Sequence, residues 1–195
     1  MWSLRPVSDG GFIMSLGNAG NCNGYGCEFY GQLIRLDSNG DIIWHRMYEE
    51  STGIYNARET SDGGFIAVGY YECVTSADCY PDMYIMKTDA DGNPEWILIE
   101  ASGNNTNDWA RDVVQTDDGN YVVTGTWNDD GWNSKAALRK YNSSGELMWA
   151  YNYSSSVANE AYEILETDEG DLVFAGYSGT QHGDYKFFIV KTDAD

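Results

Sequence analysis

Acidic turns are the segments of this sequence with the clearest potential for metal chemistry. Oxygen-bearing side chains alternate in two of them: Asp37, Asn39 and Asp41, and Asp89, Asp91 and Asn93. A calcium loop begins with this spacing, because calcium prefers oxygen ligands. The glycine, however, is fourth in the turn rather than sixth. We favour hairpin turns whose Asp and Asn side chains bond their own backbone, and we keep calcium at the Asp/Gly turns as the alternative.

Aromatic side chains in polar segments are the second group with chemical potential. Between the apolar runs lie segments rich in Gly, Asn and Asp, and six aromatic residues fall in or beside them: Tyr25, Tyr71, Tyr80, Trp127, Trp132 and Tyr185. Binding residues concentrate on loops that a rigid scaffold holds in place. We predict that these six form a rim that binds a glycan or a protein; the alternative is a loop composition without a ligand.

Catalysis finds little support in the residue pattern. His45 and His182 are the only histidines, and neither has a partner in a motif such as H-x-x-x-H or G-x-S-x-G. Carboxylate pairs are so abundant that none of them indicates glycosidase chemistry. We therefore predict no catalytic residues and no enzymatic activity.

The four cysteines form two close pairs, Cys22 with Cys27 and Cys73 with Cys79. Neither pair has the spacing of a zinc knuckle, and paired thiols in exposed loops favour disulfides in an oxidising compartment. Three connectivities exist for four cysteines. We favour the two local bridges, and with them an extracellular or cell-surface location.

The charge of the chain excludes two classes of partner. The formal net charge is −20, from 31 acidic and 11 basic side chains, and no basic stripe occurs. Nucleic acid and anionic membranes would be repelled. No run of 18 apolar residues occurs either, so no membrane insertion is predicted. The N-terminus does not read as a signal peptide.

A repeat of about fifty residues organises all of these groups. An Asp-Gly or Gly-Gly turn recurs with separations of 53, 56 and 51 residues, and a tryptophan recurs with separations of 52 and 53. The turn glycines are Gly10, Gly63, Gly119 and Gly170, and the tryptophans are Trp44, Trp96 and Trp149. Because the tryptophans hold the same place in each unit, we predict that they pack between units rather than bind a ligand.

Each unit is predicted to contain four antiparallel strands, called a to d, because apolar residues alternate or run briefly between turn residues. The predicted units span approximately 1–52, 53–106, 107–157 and 158–195 of one domain, and the last lacks its outer strand d. The fold predicted is all-β, of the β-propeller type. The chain is then part of a longer array, or pairs its open edges with another copy.

Strand a of each unit should line the central channel. One register of these strands is polar throughout: Ser3, Asn56, Asp112 and Glu163. A solvated lining is the interpretation we favour, with an axial ligand as the alternative.

Two phrases carry a family resemblance. G-G-[FY]-I-x-x-G, followed by [IL]-x-K-T-D-x-[DN]-G-x-x-x-W, resembles the secreted β-propeller repeats of bacterial and archaeal surface proteins. Leu36–Trp44 is also similar to quinoprotein propeller repeats. Sialidase-type Asp-boxes match in part, since their tryptophan follows the glycine by three residues and here by four. The resemblance implies the fold and an extracellular address, and no activity.

These observations predict a non-catalytic extracellular propeller module that binds a glycan or protein, or builds cell-surface structure. One alternative is a self-assembling filament or appendage subunit, whose open blade receives a strand from a neighbour. Another is a fragment of a glycoside-active or quinone-dependent propeller enzyme.

Overall fold

The computed structural model describes residues 2–23, 26–48, 53–71, 80–103, 106–128, 134–154, 158–179 and 184–193, with only the backbone described for residues 18–29. These residues form fifteen strands and no helix. No helix of the described part is therefore long and apolar enough to cross a membrane. The all-β prediction is confirmed.

The strands form four antiparallel sheets, which we call blades 1 to 4 in chain order. Blade 1 contains β1 (Ser3–Pro6), β2 (Phe12–Asn23), β3 (Gly26–Leu36) and β4 (Ile42–Tyr48). Blade 2 contains β5 (Gly53–Glu59), β6 (Phe65–Tyr71), β7 (Asp82–Thr88) and β8 (Pro94–Glu100). Blade 3 contains β9 (Trp109–Gln115), β10 (Tyr121–Trp127), β11 (Lys135–Tyr141) and β12 (Leu147–Tyr153). Blade 4 contains β13 (Ala158–Glu166), β14 (Leu172–Gly179) and β15 (Lys186–Thr192), so its sheet has three strands, as predicted.

The hairpin turns use their acidic residues as the turn interpretation predicts. Asp89 Oδ1 accepts hydrogen bonds from the backbone amides of Asp91 and Asn93, at 2.9 and 2.8 Å. Gly92 supplies the positive φ of 78° that the same turn requires. The Asp37 carboxylate accepts from two amides of its own turn in the same way. These oxygens therefore hold the hairpins in register.

A buried cation on the third strand explains the lysine of the K-T-D phrase. Lys87 is almost fully buried, and its Nζ contacts Asp62 Oδ2 at 2.9 Å and Glu95 Oε2 at 3.0 Å. Arg35 and Lys140 are buried at the corresponding positions of blades 1 and 3 and pair with Asp9 and Asp118. The cation thus joins the turn before the second strand to the third strand.

Acid should weaken this contact. Burial favours the neutral form of Asp62, but hydrogen bonds from Thr60 and Lys87 outweigh burial and lower its pKa to about 2 from an ordinary value of 3.8. A lowered folded-state pKa contributes stability that is present above the ordinary value and is lost as the pH falls towards 2. We expect Asp62→Asn to lower the free energy of unfolding at pH 7 by only about 1 kcal/mol, because solvent screens the contact of this exposed carboxylate with Lys87. Urea denaturation should show the difference from wild type constant between pH 7 and 5 and shrinking below pH 4; a difference unchanged down to pH 2 would contradict this.

The hydrophobic core lies between the blades. Ile13 and Leu33 of blade 1 pack on Phe65, Tyr84 and their neighbours in blade 2, and similar clusters join blade 2 to blade 3 and blade 3 to blade 4. The surfaces that neighbouring blades turn towards each other are therefore buried, as expected for a repeat array.

The tryptophan of the fourth strand packs at each contact between blades. Trp44 Nε1 donates to the Ala90 carbonyl at 3.0 Å, and Trp96 Nε1 donates to the Ser143 carbonyl at 3.1 Å. Both acceptors lie in the turn between the third and fourth strands of the following blade. A Cβ on Gly92 would lie 2.9 Å from the Trp44 ring, so glycine makes room for the indole. Trp149 packs on the core between blades 3 and 4, and the predicted packing role of the three tryptophans is confirmed.

Candidate functional site

The first strand of every blade lies at the axis, and three of these strands carry a bulge. The pairing of β5 with β6 skips Tyr55, that of β9 with β10 skips Arg111, and that of β13 with β14 skips Tyr162. Trp2 directly precedes β1, and it holds the matching position because Ser3 pairs in register with Ser15. A bulge re-aims the unpaired side chain, so equivalent positions of four blades present large side chains together.

Glycine on the second strand makes room for each bulge. A Cβ on Gly69, Gly125 or Gly176 would lie 1.9 Å from a backbone carbonyl oxygen of the bulged strand. Such a distance is impossible for real atoms, so only glycine allows the first strand to bend at this point. The last glycine of the G-G-[FY]-I-x-x-G motif, which is Gly69 in blade 2, therefore makes room for the bulge of the first strand.

The four side chains form a continuous stack that we call the axial arc: Trp2, Tyr55, Arg111 and Tyr162. The ring centroids of Trp2 and Tyr55 are 4.9 Å apart. The Arg111 guanidinium lies 4.5 Å from the Tyr55 ring centroid and 5.0 Å from that of Tyr162. These distances allow aromatic and cation–π attraction along the whole arc.

Further aromatic rings extend the arc outward. Tyr70 lies 5.3 Å from Tyr55, and Trp109 lies 5.0 Å from the Arg111 guanidinium. In blade 4, Tyr177 stacks on Tyr162 with centroids 5.6 Å apart, and Tyr185 meets Tyr177 edge-on at 5.3 Å. The exposed members of this surface are Trp2, Tyr162 and Tyr185.

One carboxylate accompanies the arc. Glu160 Oε2 accepts a hydrogen bond of 2.8 Å from the Tyr162 hydroxyl and lies 3.9 Å from Arg111 Nη2. Burial, and then the hydrogen bond to Glu160, raise the pKa of Tyr162 above its ordinary value. The Tyr162 hydroxyl therefore acts as a hydrogen-bond donor, and the surface presents the Arg111 guanidinium and the Glu160 carboxyl group among its rings.

Next to the arc, a polar network around Asp112 lies at the axis. Its carboxylate has no exposed surface and accepts from Asn56 Nδ2 at 2.6 Å, from Arg58 Nη2 at 2.7 Å and from the Ile164 amide at 3.0 Å. Burial raises the pKa of Asp112, and the Arg58 guanidinium opposes that change. Because these donors come from blades 2 and 4, Asp112 ties three blades together.

The polar register does lie at the axis, but the solvated lining that we favoured is wrong for Asn56 and Asp112, which are 3% and 0% exposed. Asn56 and Asp112 bond each other, and Glu163 receives a salt bridge of 3.2 Å from Arg5 of blade 1. Ser3 instead shares a hydrogen bond of 2.7 Å with Ser15 in its own blade. The carboxylate oxygens of Asp112 are occupied by protein donors, so this residue is structural rather than a ligand or a proton donor.

Of the six aromatic residues predicted for the rim, Tyr185 reaches the surface of the arc. Tyr71 packs on the core between blades 1 and 2, and Tyr80 is exposed. Trp127 packs on the core between blades 2 and 3, with the Arg139 guanidinium 3.7 Å from its ring centroid. Tyr25 and Trp132 lie outside the described residues.

The two local disulfide bridges stay a prediction. The backbone register of β2 and β3 places Cys22 opposite Cys27, which is the arrangement that a local bridge needs. Cys73 and Cys79 lie outside the described residues, as does His182. His45 contacts Gln32 Oε1 at 2.9 Å. Within the described ranges, no three His, Cys, Asp or Glu side chains converge as metal ligands, and calcium at the Asp/Gly turns stays an untested alternative.

The axial arc was missed at the sequence level, although a signal existed. Trp2, Tyr55, Arg111 and Tyr162 each stand immediately before a member of the polar register. Three of the four are aromatic, although the residue that follows each of them is polar. When a polar position repeats in every unit, the position next to it in the sequence therefore also repeats and can be compared across the units.

Comparison with known proteins agrees with the fold. No protein-family model and no curated protein matches this chain. It is similar to a Bacteroides caccae protein of unknown function, with 11% identity and a TM-score of 0.52 over 94% of this chain and 58% of that chain. It is also similar to an endo-arabinase from Bacteroides thetaiotaomicron, with 11% identity and a TM-score of 0.57 over 97% and 72% of the two chains. At this identity the likeness shows the fold alone, which is all-β and propeller-like.

Proposed function

We propose that this protein is a non-catalytic propeller module that binds a carbohydrate on the axial arc. The observation that carries the proposal is the stack of Trp2, Tyr55, Arg111 and Tyr162, built from equivalent positions of four blades. Large aromatic rings, tilted against one another on a rigid scaffold, offer an apolar surface to the C–H face of a sugar ring.

Polar groups beside the rings would orient the sugar. Arg111 and Glu160 lie at the centre of the surface, and both can hydrogen-bond to hydroxyl groups. Binding sites of this kind are mostly apolar, with a small number of polar groups that fix the orientation of the ligand. The exposed rings of Trp2 and Tyr162 would make the first contact.

The cellular setting belongs to the same proposal. We place the module outside the cell, on the resemblance of its phrases to secreted propeller repeats and on the facing backbone positions of Cys22 and Cys27. The similar endo-arabinase is, by its name, an enzyme that acts on a carbohydrate. That similarity is an analogy of fold and adds weight only to the class of ligand.

Loss of an exposed ring should weaken the binding. We expect Tyr162→Ala and Trp2→Ala each to weaken the affinity for a bound oligosaccharide by about tenfold, because each removes one stacking surface. A glycan array would identify the oligosaccharide, and calorimetry would measure its affinity for each variant. Tyr151→Ala is the control, because Tyr151 is also exposed but lies on the outer strand β12.

Two results would overturn the proposal. One is an array on which no glycan binds, or binding that Tyr162→Ala and Trp2→Ala leave unchanged. The other is release of sugar from the bound oligosaccharide by the purified protein, which would make the protein an enzyme. Circular dichroism of each variant checks that the fold is retained.

A further inference from the structure

Each blade has a forward face, which packs on the following blade, and a rear face, which packs on the preceding one. One position of the third strand lies on the forward face and is Leu33 in blade 1, Ile85 in blade 2 and Leu138 in blade 3. Each of these residues pairs with a residue of the second strand, which in turn pairs with a member of the polar register. Their exposed fractions are 0%, 0% and 1%. In blade 4 the same position is Ile189, whose exposed fraction is 75%.

Most of the forward face of blade 4 is apolar and uncovered in the same way, with the charged side chains of Glu163 and Lys191 beside it. Phe187 is 95% exposed, whereas Met83 and Ala136 are fully buried at the corresponding position. Together with Tyr162, Ala175 and Tyr177, these residues line an open groove of about 630 Å³. The residue types are those of a buried contact between blades, and solvent is an unfavourable neighbour for them.

Blade 1 carries the complementary surface. On the first strand, Ala57, Val113 and Ile164 hold the same rear position in blades 2 to 4 and are 0%, 0% and 2% exposed. The corresponding residue of blade 1 is Leu4, which is 47% exposed. Phe12, Met14 and Ile34 continue this rear face and are only partly buried. One chain thus carries both halves of a contact that it makes three times internally.

We propose that the forward face of blade 4 binds the rear face of blade 1 of a second copy of this chain, head to tail. The contact continues the established packing between blades, with Phe187 and Ile189 of one copy against Leu4 and Phe12 of the next. It differs from completion of a blade by a donated strand, because the joined surfaces are faces of sheets. It adjoins the proposed carbohydrate site, because Tyr162 and Tyr177 line both surfaces, whereas Phe187, Ile189 and Leu4 belong to the contact alone.

The contact should be reversible, because it lacks an interaction that the internal contacts have. Within the chain, the side chains of Glu59, Gln115 and Glu166 accept hydrogen bonds from turn amides of the preceding blade, at 2.6 to 2.9 Å. Blade 1 has Pro6 at this position, which offers no side-chain acceptor. The described part of blade 4 also has no fourth strand to supply a tryptophan.

Sedimentation velocity of the purified chain over a range of concentrations tests the proposal. At moderate salt, which screens the net charge of −20, we expect the mass to rise from the 21.8 kDa of one chain to multiples of it. A head-to-tail contact gives either a closed ring, seen as a mass that stops increasing, or an open series. A chain that stays monomeric at every concentration would overturn the proposal.

Variants of the two faces make the test specific. Phe187→Glu and Leu4→Glu should each weaken association by about tenfold or more, because each buries a charge in an apolar contact. Both residues are exposed in the single chain, so the fold should persist. Met148→Glu is the matched control: Met148 is 53% exposed on the outer strand of blade 3, away from both faces, and should change nothing.

Mixing the two variants gives the sharpest outcome. The Phe187→Glu chain keeps an intact rear face on blade 1, and the Leu4→Glu chain keeps an intact forward face on blade 4. We expect each to be monomeric alone and the mixture to form a dimer of one chain of each kind that grows no further. Association that is equally strong in either variant alone, or absent from the mixture, would rule out a head-to-tail contact.

Discussion

Replacing Asp112 with alanine is expected to lower the free energy of unfolding by about 3–5 kcal/mol, the cost of breaking a buried charged pair. The carboxylate is fully buried at the axis and is held by Asn56, Arg58 and the Ile164 amide. Alanine would leave the buried Asn56 amide and the Ile164 amide without their acceptor, and the Arg58 guanidinium with only the exposed Glu163 carboxylate, at 4.0 Å, as its counter-charge. Urea denaturation followed by circular dichroism measures the difference.

Two control variants separate the causes. Asp112→Asn keeps the shape of the side chain and one acceptor oxygen. We therefore expect it to lower the free energy of unfolding by less than Asp112→Ala does. Glu163→Gln removes a charge from the same network, but the Glu163 side chain is 64% exposed and its salt bridge with Arg5 is screened. We expect it to cost less than about 1 kcal/mol. Similar losses for Asp112→Ala and Glu163→Gln would show that Asp112 does not tie the blades together.

The repeat made most of the fold predictable from the sequence. Turn glycines and tryptophans recur at a fixed period, and each has a local reason that needs no knowledge of the whole. Gly92 supplies a positive φ and Asp89 bonds its own turn, while Trp44 and Trp96 bond the following blade. Since every unit repeats these features, their agreement across units predicted the four sheets and the missing strand of the last one.

The candidate site was predictable only in part. The polar register on the first strands follows from simple alternation, and Asn56 and Asp112 do meet at the axis. The axial arc depends instead on a bulge, which adds one residue to a strand and shifts the alternation. Whether a strand bulges is decided by its pairing with the neighbouring strand, and that pairing cannot be read from the strand alone.

The open faces show the same division between local and non-local information. Leu4, Phe187 and Ile189 are ordinary apolar strand residues in the sequence, alike in type to those that are buried in the other blades. Alternation predicts that they point to one face of a sheet. It does not tell which face has a neighbour, because this depends on the curvature of the array and on the position of the blade within it.

Gly125→Ala is the second substitution from which we expect a large loss, of about 3 kcal/mol in the free energy of unfolding. A Cβ at this position would lie 1.9 Å from the Trp109 carbonyl oxygen, so the bulge at Arg111 would have to move. Arg111 stands between Tyr55 and Tyr162 in the axial arc. We therefore expect the affinity for an oligosaccharide to fall even in the fraction that remains folded, measured by calorimetry at a temperature well below unfolding.

Gly103→Ala is the control that isolates the bulge. Gly103 has a positive φ of 84°, but no atom lies within 4 Å of the position that a Cβ would take. Alanine there meets only the intrinsic cost of a left-handed backbone, about 1 kcal/mol, and leaves the arc intact. If Gly125→Ala cost no more than Gly103→Ala and kept the affinity, the bulge could be accommodated without glycine. The arc would then owe its position to the stacking of its own rings rather than to the pairing of β9 with β10.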